Sequence, residues 1–470
     1  MKTKCLSLEP IVKLHASRKS MVLPSLDKTR FAGLVGGGED ILEKVGEPPQ
    51  NQERAKGRFY AAKNFAIGSL FIFLLFAAFP AFCKPISKQG EGFLEIKHGQ
   101  QVVHLKGTPY ERGYQHGSLL KEQIERNIST YIDRVKSPVP GRLEQFSKSI
   151  PTLLSYVPQH FMEEMKGVAD GSGVALNKII MLNLFPEMFH CSGFTVSGKA
   201  SKKGEIYHVR VLDYSIGKNL QSTAVLQVVE PNEGVAFLNV SYAGFIGTVT
   251  GMNLEKICIG EIGGLGYGSW EGVPMAFLLR DLLQYTTSLN QIREKLQNTP
   301  RTCEYYYVFS DGKTNDSLGV YATATELDFI TAGEPYAVRA PSELPQDGSA
   351  LTANEVENTQ YQTFHFDKQG RLVSLSRLQP SDCLILTGFP HPERYPVLTD
   401  RLLANYGSID EKCLIKAAKQ PVARPSNLHT AIFLPSKLKM WVAHAGPHDE
   451  PACDQPYQEW DFLSLLSSKG

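Results

Sequence analysis

The sequence predicts an α+β fold, and three observations carry that reading. Before residue 190 the apolar residues recur at helical spacing. From Cys191 onward, short apolar runs follow one another, separated by Gly and Asn turn signals. A helical block over 274–297 then interrupts before strands resume. Strands that follow strands, instead of alternating with helices, argue for α+β layering over a wound parallel sheet.

The elements justify this in order. Phe93–Ile96 and Gln101–Leu105 read as a strand pair, and a helix starts near Tyr110, where Thr108-Pro109 supplies a cap and a helix-compatible proline. A helix over Gln159–Ala169 sets Phe161, Met165, Val168 and Ala169 on one face and is expected to stop at Gly171. Strands are expected at Phe194–Val196, Ile206–Leu212, Ala224–Val229, Val235–Tyr242 and Ile257–Ile262. Pro274–Gln297 reads as helical. Strands follow at Tyr305–Ser310, Leu318–Ala322 and Phe329–Thr331, a helix at Val397–Tyr406, and strands at Ala431–Leu434 and Lys439–Ala443.

Composition narrows the function classes. Of 470 residues, 49 are Lys or Arg and 48 are Asp or Glu, a formal net charge of +1. That balance leaves no electrostatic footprint for a nucleic-acid partner. The first 63 residues differ: 12 basic against 7 acidic residues give a local charge of +5, with no sustained periodicity, and predict a disordered leader. Asn64 to Cys83 then runs twenty residues without a charge, long enough to cross a bilayer core of ~30 Å. Lys56, Arg58 and Lys63 precede it, and Ala77, Ala78, Pro80 and Ala81 near its end resemble a signal-cleavage region. A cleaved signal and an uncleaved anchor both export the remainder, and the anchor would attach it to a membrane through residues 64–83. A buried core helix is the third reading. The folded domain is expected over 92–470.

Local catalytic signatures are scarce. No HExxH, G-x-S-x-G or phosphate-loop motif occurs, and no CxxC pair. The run Gly260–Gly268 is glycine-rich without dinucleotide spacing and reads as a tight loop. Cys258, inside an apolar strand, reads as an inert core thiol.

The informative stretch is 190–214, HCSGFTVSGKASKKGEIYHVRVLDY. Cys191 stands where the helical region gives way to strands, so no helix N-terminus follows to lower its pKa. A strand-borne thiol needs another activator, and its own α-amine, titrating near ~7.7–8.0, is one if the preceding bond is cut. A small buried hydrophobe is the plainer reading of such a cysteine. Arg210 and Asp213 lie three apart on the next strand and so point to opposite faces unless the strand ends or bulges. An ordinary ion pair is the plainer reading there.

With these residues in view, the chain resembles the acyl-CoA:6-aminopenicillanate acyltransferase-like, C45-type peptidase group, relatives of choloylglycine hydrolase and penicillin V acylase. The motifs are GTPYERGYQHGSLLKEQI (107–124), FMEEMKGVADGSGV (161–174), the nucleophile block ending in R-x-x-D-Y, then GFIGTVTGMN, EGVPMAFLLRDLL, LTANE, ERYPVL and LHTAIFLPSKLKMWVAHAG. The resemblance spans about Lys106 to Phe462. It implies an N-terminal-nucleophile (Ntn) hydrolase fold, an αββα sandwich of two antiparallel sheets between helical layers. It also implies cleavage of the His190–Cys191 bond, Cys191 as nucleophile, Arg210 beside the thiol and Asp213 holding the α-amine. Asn253 and Asn354 would be oxyanion donors and Arg394 a late active-site arginine. The substrate would be a small N-acyl amide or acyl donor, with no metal or organic cofactor required. The sequence departs from the group's pattern in reading Thr-Ala-Asn-Glu around Asn354, in carrying His190 before the nucleophile, and in having Tyr214 where Trp is usual. Two alternatives stay open: a Cys–His peptidase using His208, His429 or His444, and a membrane-tethered binding protein that keeps the fold without chemistry.

Overall fold

The structure is a computed structural model that describes residues 87–134, 142–184, 190–214, 216–263, 269–333, 380–387 and 394–468. The leader, the apolar segment 64–83 and Asn354 lie outside the described residues. Among the described residues, no helix is long and apolar enough to cross a membrane.

Two sheets form the frame, with strands numbered in chain order. Across the first, the order is β1 (Ser87–Gln89), β2 (Gly92–Lys97), β3 (Gln100–Gly107), β6 (Ala224–Pro231), β7 (Phe237–Tyr242), β8 (Thr250–Asn253), β9 (Ile257–Gly263), β10 (Tyr305–Asp311), β11 (Asp316–Ala322) and β12 (Leu327–Ile330). Across the second it is β13 (Cys383–Thr387), β4 (His190–Gly198), β5 (Gly204–Asp213), β14 (Asn427–Leu434), β15 (Lys439–His444) and β16 (Gln458–Asp461). Among the described strands, pairing is antiparallel except between β3 and β6, which run parallel. The expected all-antiparallel pairing is corrected at that one junction. The chain leaves β3 into helices and returns to the same sheet only at Ala224, and so long a crossover allows the parallel direction.

Three apolar layers stack these sheets. On one outer side are α1 (Pro109–Leu119), α2 (Lys121–Asn127), α3 (Arg142–Tyr156), α4 (Gln159–Ser172), α5 (Leu176–Leu184), α6 (Met275–Tyr285) and α7 (Leu289–Asn298). Ile124, Phe161, Val168, Leu279 and Ile292 from these helices share a core with Val103, Ile259 and Phe309 of the first sheet. Between the sheets, Val102, Leu226 and Cys258 meet Ala431, Phe433 and Val442. On the far side, Phe194, Val209, Val211 and Ile432 pack under Leu398 and Leu402 of α8 (Arg394–Leu403) and Leu414 of α9 (Glu411–Ala417). A short α10 (Phe462–Leu466) closes the chain. The result is the four-layer αββα sandwich that the resemblance implied. Cys258 is the fully buried thiol expected.

Helix boundaries follow identifiable causes. Thr108 caps α1, as the sequence predicts, and does so through a capping box with Glu111. The expected stop of α4 at Gly171 is wrong by two residues: the helix runs on to Ser172 and ends at Gly173, whose φ of 76° is left-handed. Gly171 is there for closeness, since a Cβ on it would stand 2.3 Å from the Tyr114 carbonyl oxygen of α1. The expected single helix over Pro274–Gln297 is two helices, because Ser288 caps a fresh start at α7 by accepting from Gln291 N. β8 is a strand that the sequence reading did not anticipate.

Gly171→Ala should therefore destabilise the protein, by the roughly 1–3 kcal/mol of an overpacked contact. Propensity alone predicts the opposite sign, a gain of about 0.5–1 kcal/mol. Urea unfolding of the variant beside the wild type reads which sign holds.

Candidate active site

The second residue of β4 is Cys191, fully buried, and its neighbours follow from strand parity. In the ladder Cys191 pairs with Leu212 and His190 with Asp213, so the His190–Cys191 peptide bond lies beside the end of β5. Cys191 and Leu212 face the inter-sheet layer, where both join one apolar cluster with Tyr242 and Ile262. Gly193, two residues on, faces the same way, and a Cβ there would stand 2.6 Å from Val308 Cγ1. Glycine is what lets the sheets approach this closely beside the cysteine.

Arg210 shares the face of Leu212 and reaches Cys191 through the inter-sheet layer. Its Nη2 donates to Cys191 Sγ at 2.9 Å and to Glu261 Oε2 at 2.9 Å, and its Nε donates to the Val249 carbonyl at 3.3 Å. Asp213 has the opposite parity and faces the helical layer beyond the second sheet. There its Oδ2 pairs with Arg394 Nη2, and its Oδ1 accepts from the Arg424 backbone N–H at 3.0 Å. Arg394 Nη1 in turn donates to the Cys191 carbonyl oxygen at 3.3 Å. The two residues thus flank Cys191 from opposite sides of its strand, Arg210 at the sulfur and Asp213 at the backbone. The parity argument that kept them from a shared face holds, and Asp213 is tied to the Cys191 backbone through Arg394, the arginine that the resemblance named, 181 residues further along the chain.

Burial dominates the electrostatics. Loss of water pushes the Cys191 thiol up to about 12, against the pull of Arg210, so in the intact chain the sulfur is held as a thiol. Burial also lowers Arg394 to about 10. Arg210 and Glu261 are both fully buried, and a buried charge is tolerated only when paired in this way. Sequence reasoning missed Glu261. Its signal was present, a lone carboxylate in a strand, Ile257–Gly263, whose residues are all buried.

Asn253 requires correction. Its Nδ2 donates to the carbonyls of Leu283 and Thr286, each at 2.9 Å, and its Oδ1 accepts from Ile257 N at 3.0 Å. Those carbonyls belong to the frayed end of α6, which has no further helical partners to offer them. Both amide hydrogens are therefore committed to capping a helix, and none is left for an oxyanion at Cys191. Asn354 lies outside the described residues.

Of the histidines raised as alternative bases, His208 and His429 are engaged elsewhere. His208 Nδ1 lies 3.0 Å from Ser310 Oγ, and burial lowers its pKa to about 3. His429 Nδ1 is 2.9 Å from Tyr242 Oη and its Nε2 is 2.9 Å from Thr250 Oγ1. Its neighbour His444 is lowered to about 4 by burial.

An apolar pocket adjoins the cysteine. It has a cavity volume of about 60 Å³ and is lined by Tyr131, Leu182, Leu212, Tyr214, Tyr242 and Phe245, among others. Leu212 is the ladder partner of Cys191, so the pocket begins one side chain from the sulfur. Tyr131 belongs to a π-helical turn, Ile128–Ile132, a distortion often found at functional sites.

No family model matches the chain. Protein dcd1A of Dictyostelium discoideum is 25% identical over 389 residues, covering 75% of this chain and 80% of that protein. Acid ceramidase of Mus musculus is 25% identical over 243 residues, 46% of this chain and 61% of that protein. The N-acylethanolamine-hydrolyzing acid amidase of Mus musculus is 30% identical over 203 residues, 41% of this chain and 53% of that protein. The chain thus spans little more than half the length of the two mouse relatives. These similarities bear out the family resemblance read from the motifs.

Replacing Arg394 with Leu should leave Asp213 buried without its cation, at a cost of about 3–5 kcal/mol in unfolding free energy. Thermal unfolding measures it. A variant as stable as the wild type would mean that the pair is not buried in solution.

Proposed function

We propose that this chain is an Ntn amidohydrolase that cleaves the amide bond of a small N-acyl substrate, with Cys191 as nucleophile. The observation that carries the reading is the Arg210 guanidinium on the Cys191 sulfur, with Arg394, paired to Asp213, at the carbonyl of the same residue. Two relatives whose names state such chemistry, acid ceramidase and the N-acylethanolamine-hydrolyzing acid amidase, support the same class.

The first step is self-cleavage. The Cys191 sulfur attacks the His190 carbonyl carbon, its proton passes to the departing Cys191 nitrogen, and the C–N bond breaks. Water then hydrolyses the thioester, leaving a carboxylate on His190 and a free amine on Cys191. Cleavage removes the neighbouring peptide and opens the sulfur to solvent and substrate, which relieves part of the desolvation that keeps it protonated.

In turnover, the α-amine accepts the thiol proton as sulfur adds to the substrate carbonyl. Asp213, at the end of the strand paired with β4, would orient that amine, and Arg210 would favour the thiolate. Of the two oxyanion donors that the resemblance assigns, the Asn253 amide is committed to the end of α6, which leaves Asn354; one such donor is typically worth ~10²–10³ in rate. Collapse expels the substrate amine, which takes the proton from the α-ammonium. Water, deprotonated by the same amine, releases the acid; an amine in place of water would give acyl transfer. The apolar pocket beside Leu212 suits the acyl chain of an N-acyl amide, since apolar area is what it offers.

Export belongs to the same reading. The uncharged run from Asn64 to Cys83 behind a basic flank supports delivery across a membrane, as a cleaved signal or as an anchor.

Intact mass of the full chain tests the mechanism beside Cys191→Ala. Two fragments that part at His190–Cys191, absent in the variant, are expected. A single unprocessed chain in both would remove the amine as base and favour a binding protein that keeps the fold.

A further inference from the structure

His429 takes no part in the steps above, yet it stands in line with the nucleophile. In the second sheet Cys191 pairs with Leu212, and Leu212 pairs with His429, so the three occupy one rung and face the inter-sheet layer together. His429 is fully buried and both of its ring nitrogens are engaged. Tyr242 Oη lies 2.9 Å from Nδ1 and Thr250 Oγ1 lies 2.9 Å from Nε2. Burial drives its pKa well below 6.5, so the ring is neutral, donating from one nitrogen and accepting at the other.

Both partners belong to the first sheet. Tyr242 ends β7 and Thr250 begins β8, and the residues between them lie outside the ladder, with Gly244 at a φ of 86°. His429 therefore ties the two ends of this connection to the second sheet. The connection matters because its last residue, Val249, offers its carbonyl to Arg210 Nε at 3.3 Å and to Glu261 N at 3.1 Å. Arg210 Nη2 then reaches the Cys191 sulfur at 2.9 Å. Contacts thus run unbroken from His429 through Thr250, Val249 and Arg210 to the thiol, crossing between the sheets twice.

We infer that His429 is a positioning residue, which clamps the Tyr242–Thr250 connection so that the Val249 carbonyl holds Arg210 against the Cys191 sulfur. The inference rests on Cys191 being the nucleophile. The charged and titratable groups that bear on this sulfur are Arg210, Glu261 and Arg394, and those around His429 are Arg210, Tyr242 and His444. A misaligned Arg210 stabilises the thiolate less, so the pH at which the sulfur becomes reactive moves up.

The test uses the full chain after processing, with iodoacetamide as probe and the Cys191 peptide followed by mass. Thr250→Val keeps the shape of the side chain and removes only its bond to His429; Thr250→Ser restores a hydroxyl. The Val variant should be alkylated about tenfold more slowly at neutral pH, the equivalent of about 1.4 kcal/mol. Its alkylation midpoint should shift to higher pH and its kcat should fall more than its KM, while the Ser variant stays near wild type. Tyr242→Phe, which cuts the other bond, supplies the second reading should Thr250→Val not fold. An unchanged pH midpoint in the variants that fold, whatever happens to their melting temperature, overturns the inference and leaves His429 as packing alone. Failure of both variants to fold does the same. Activity of Cys191→Ala, measured in parallel, registers separately whether the nucleophile reading itself fails.

Discussion

The contact between Arg210 and the Cys191 sulfur sets the terms for the rest of this structure. A guanidinium and a thiol stand in the dry layer between two sheets, where an unpaired charge costs several kcal/mol. Glu261 answers the charge of Arg210 from the facing strand, at 2.9 Å. A second pair, Asp213 with Arg394, answers from the other side of β4. The four-layer arrangement follows from needing both sides at once. The inter-sheet layer holds one arginine over the sulfur, and the outer helical layer supplies the other at the backbone.

Close approach makes this geometry attainable. Gly193 lets β4 come up against Val308 and Ile262 of the opposite sheet, where any side chain would hold them apart. Asn253 fixes the end of α6 to the turn between β8 and β9, so the strand carrying Glu261 starts from a defined place. These residues act on the site through packing, and their amides and backbones are spent in doing so. Burial keeps His208, His429 and His444 neutral, and the first two each have a hydroxyl of the facing sheet at a ring nitrogen.

Much of the fold was legible in the sequence because its signals are local. The cap at Thr108, the short apolar runs and the turn glycines each act within a few residues. The parity of Arg210 and Asp213 was readable in the same way, and it correctly kept them on opposite faces. What escaped was set by distance along the chain. Nothing near Asp213 announces that Arg394 will meet it, and nothing near Gly171 announces that Tyr114 will pack there. Glu261 was readable in principle as a lone carboxylate in a wholly apolar strand, but the neighbouring glycines drew attention to a loop. Asn253 misled for the opposite reason. Its motif context matched, while the amide itself was claimed by the carbonyls of a helix that the sequence had run together with the next.

The central claim is that the sulfur of Cys191 carries the acyl group during turnover. The direct measurement is an acid quench of the processed protein during turnover of a small N-acyl amide, followed by mass analysis of the Cys191 peptide. The account predicts an acyl thioester on Cys191 itself, present only while substrate remains and absent in Arg210→Leu. Turnover with no acyl adduct on that peptide, or with the adduct on another residue, would contradict it.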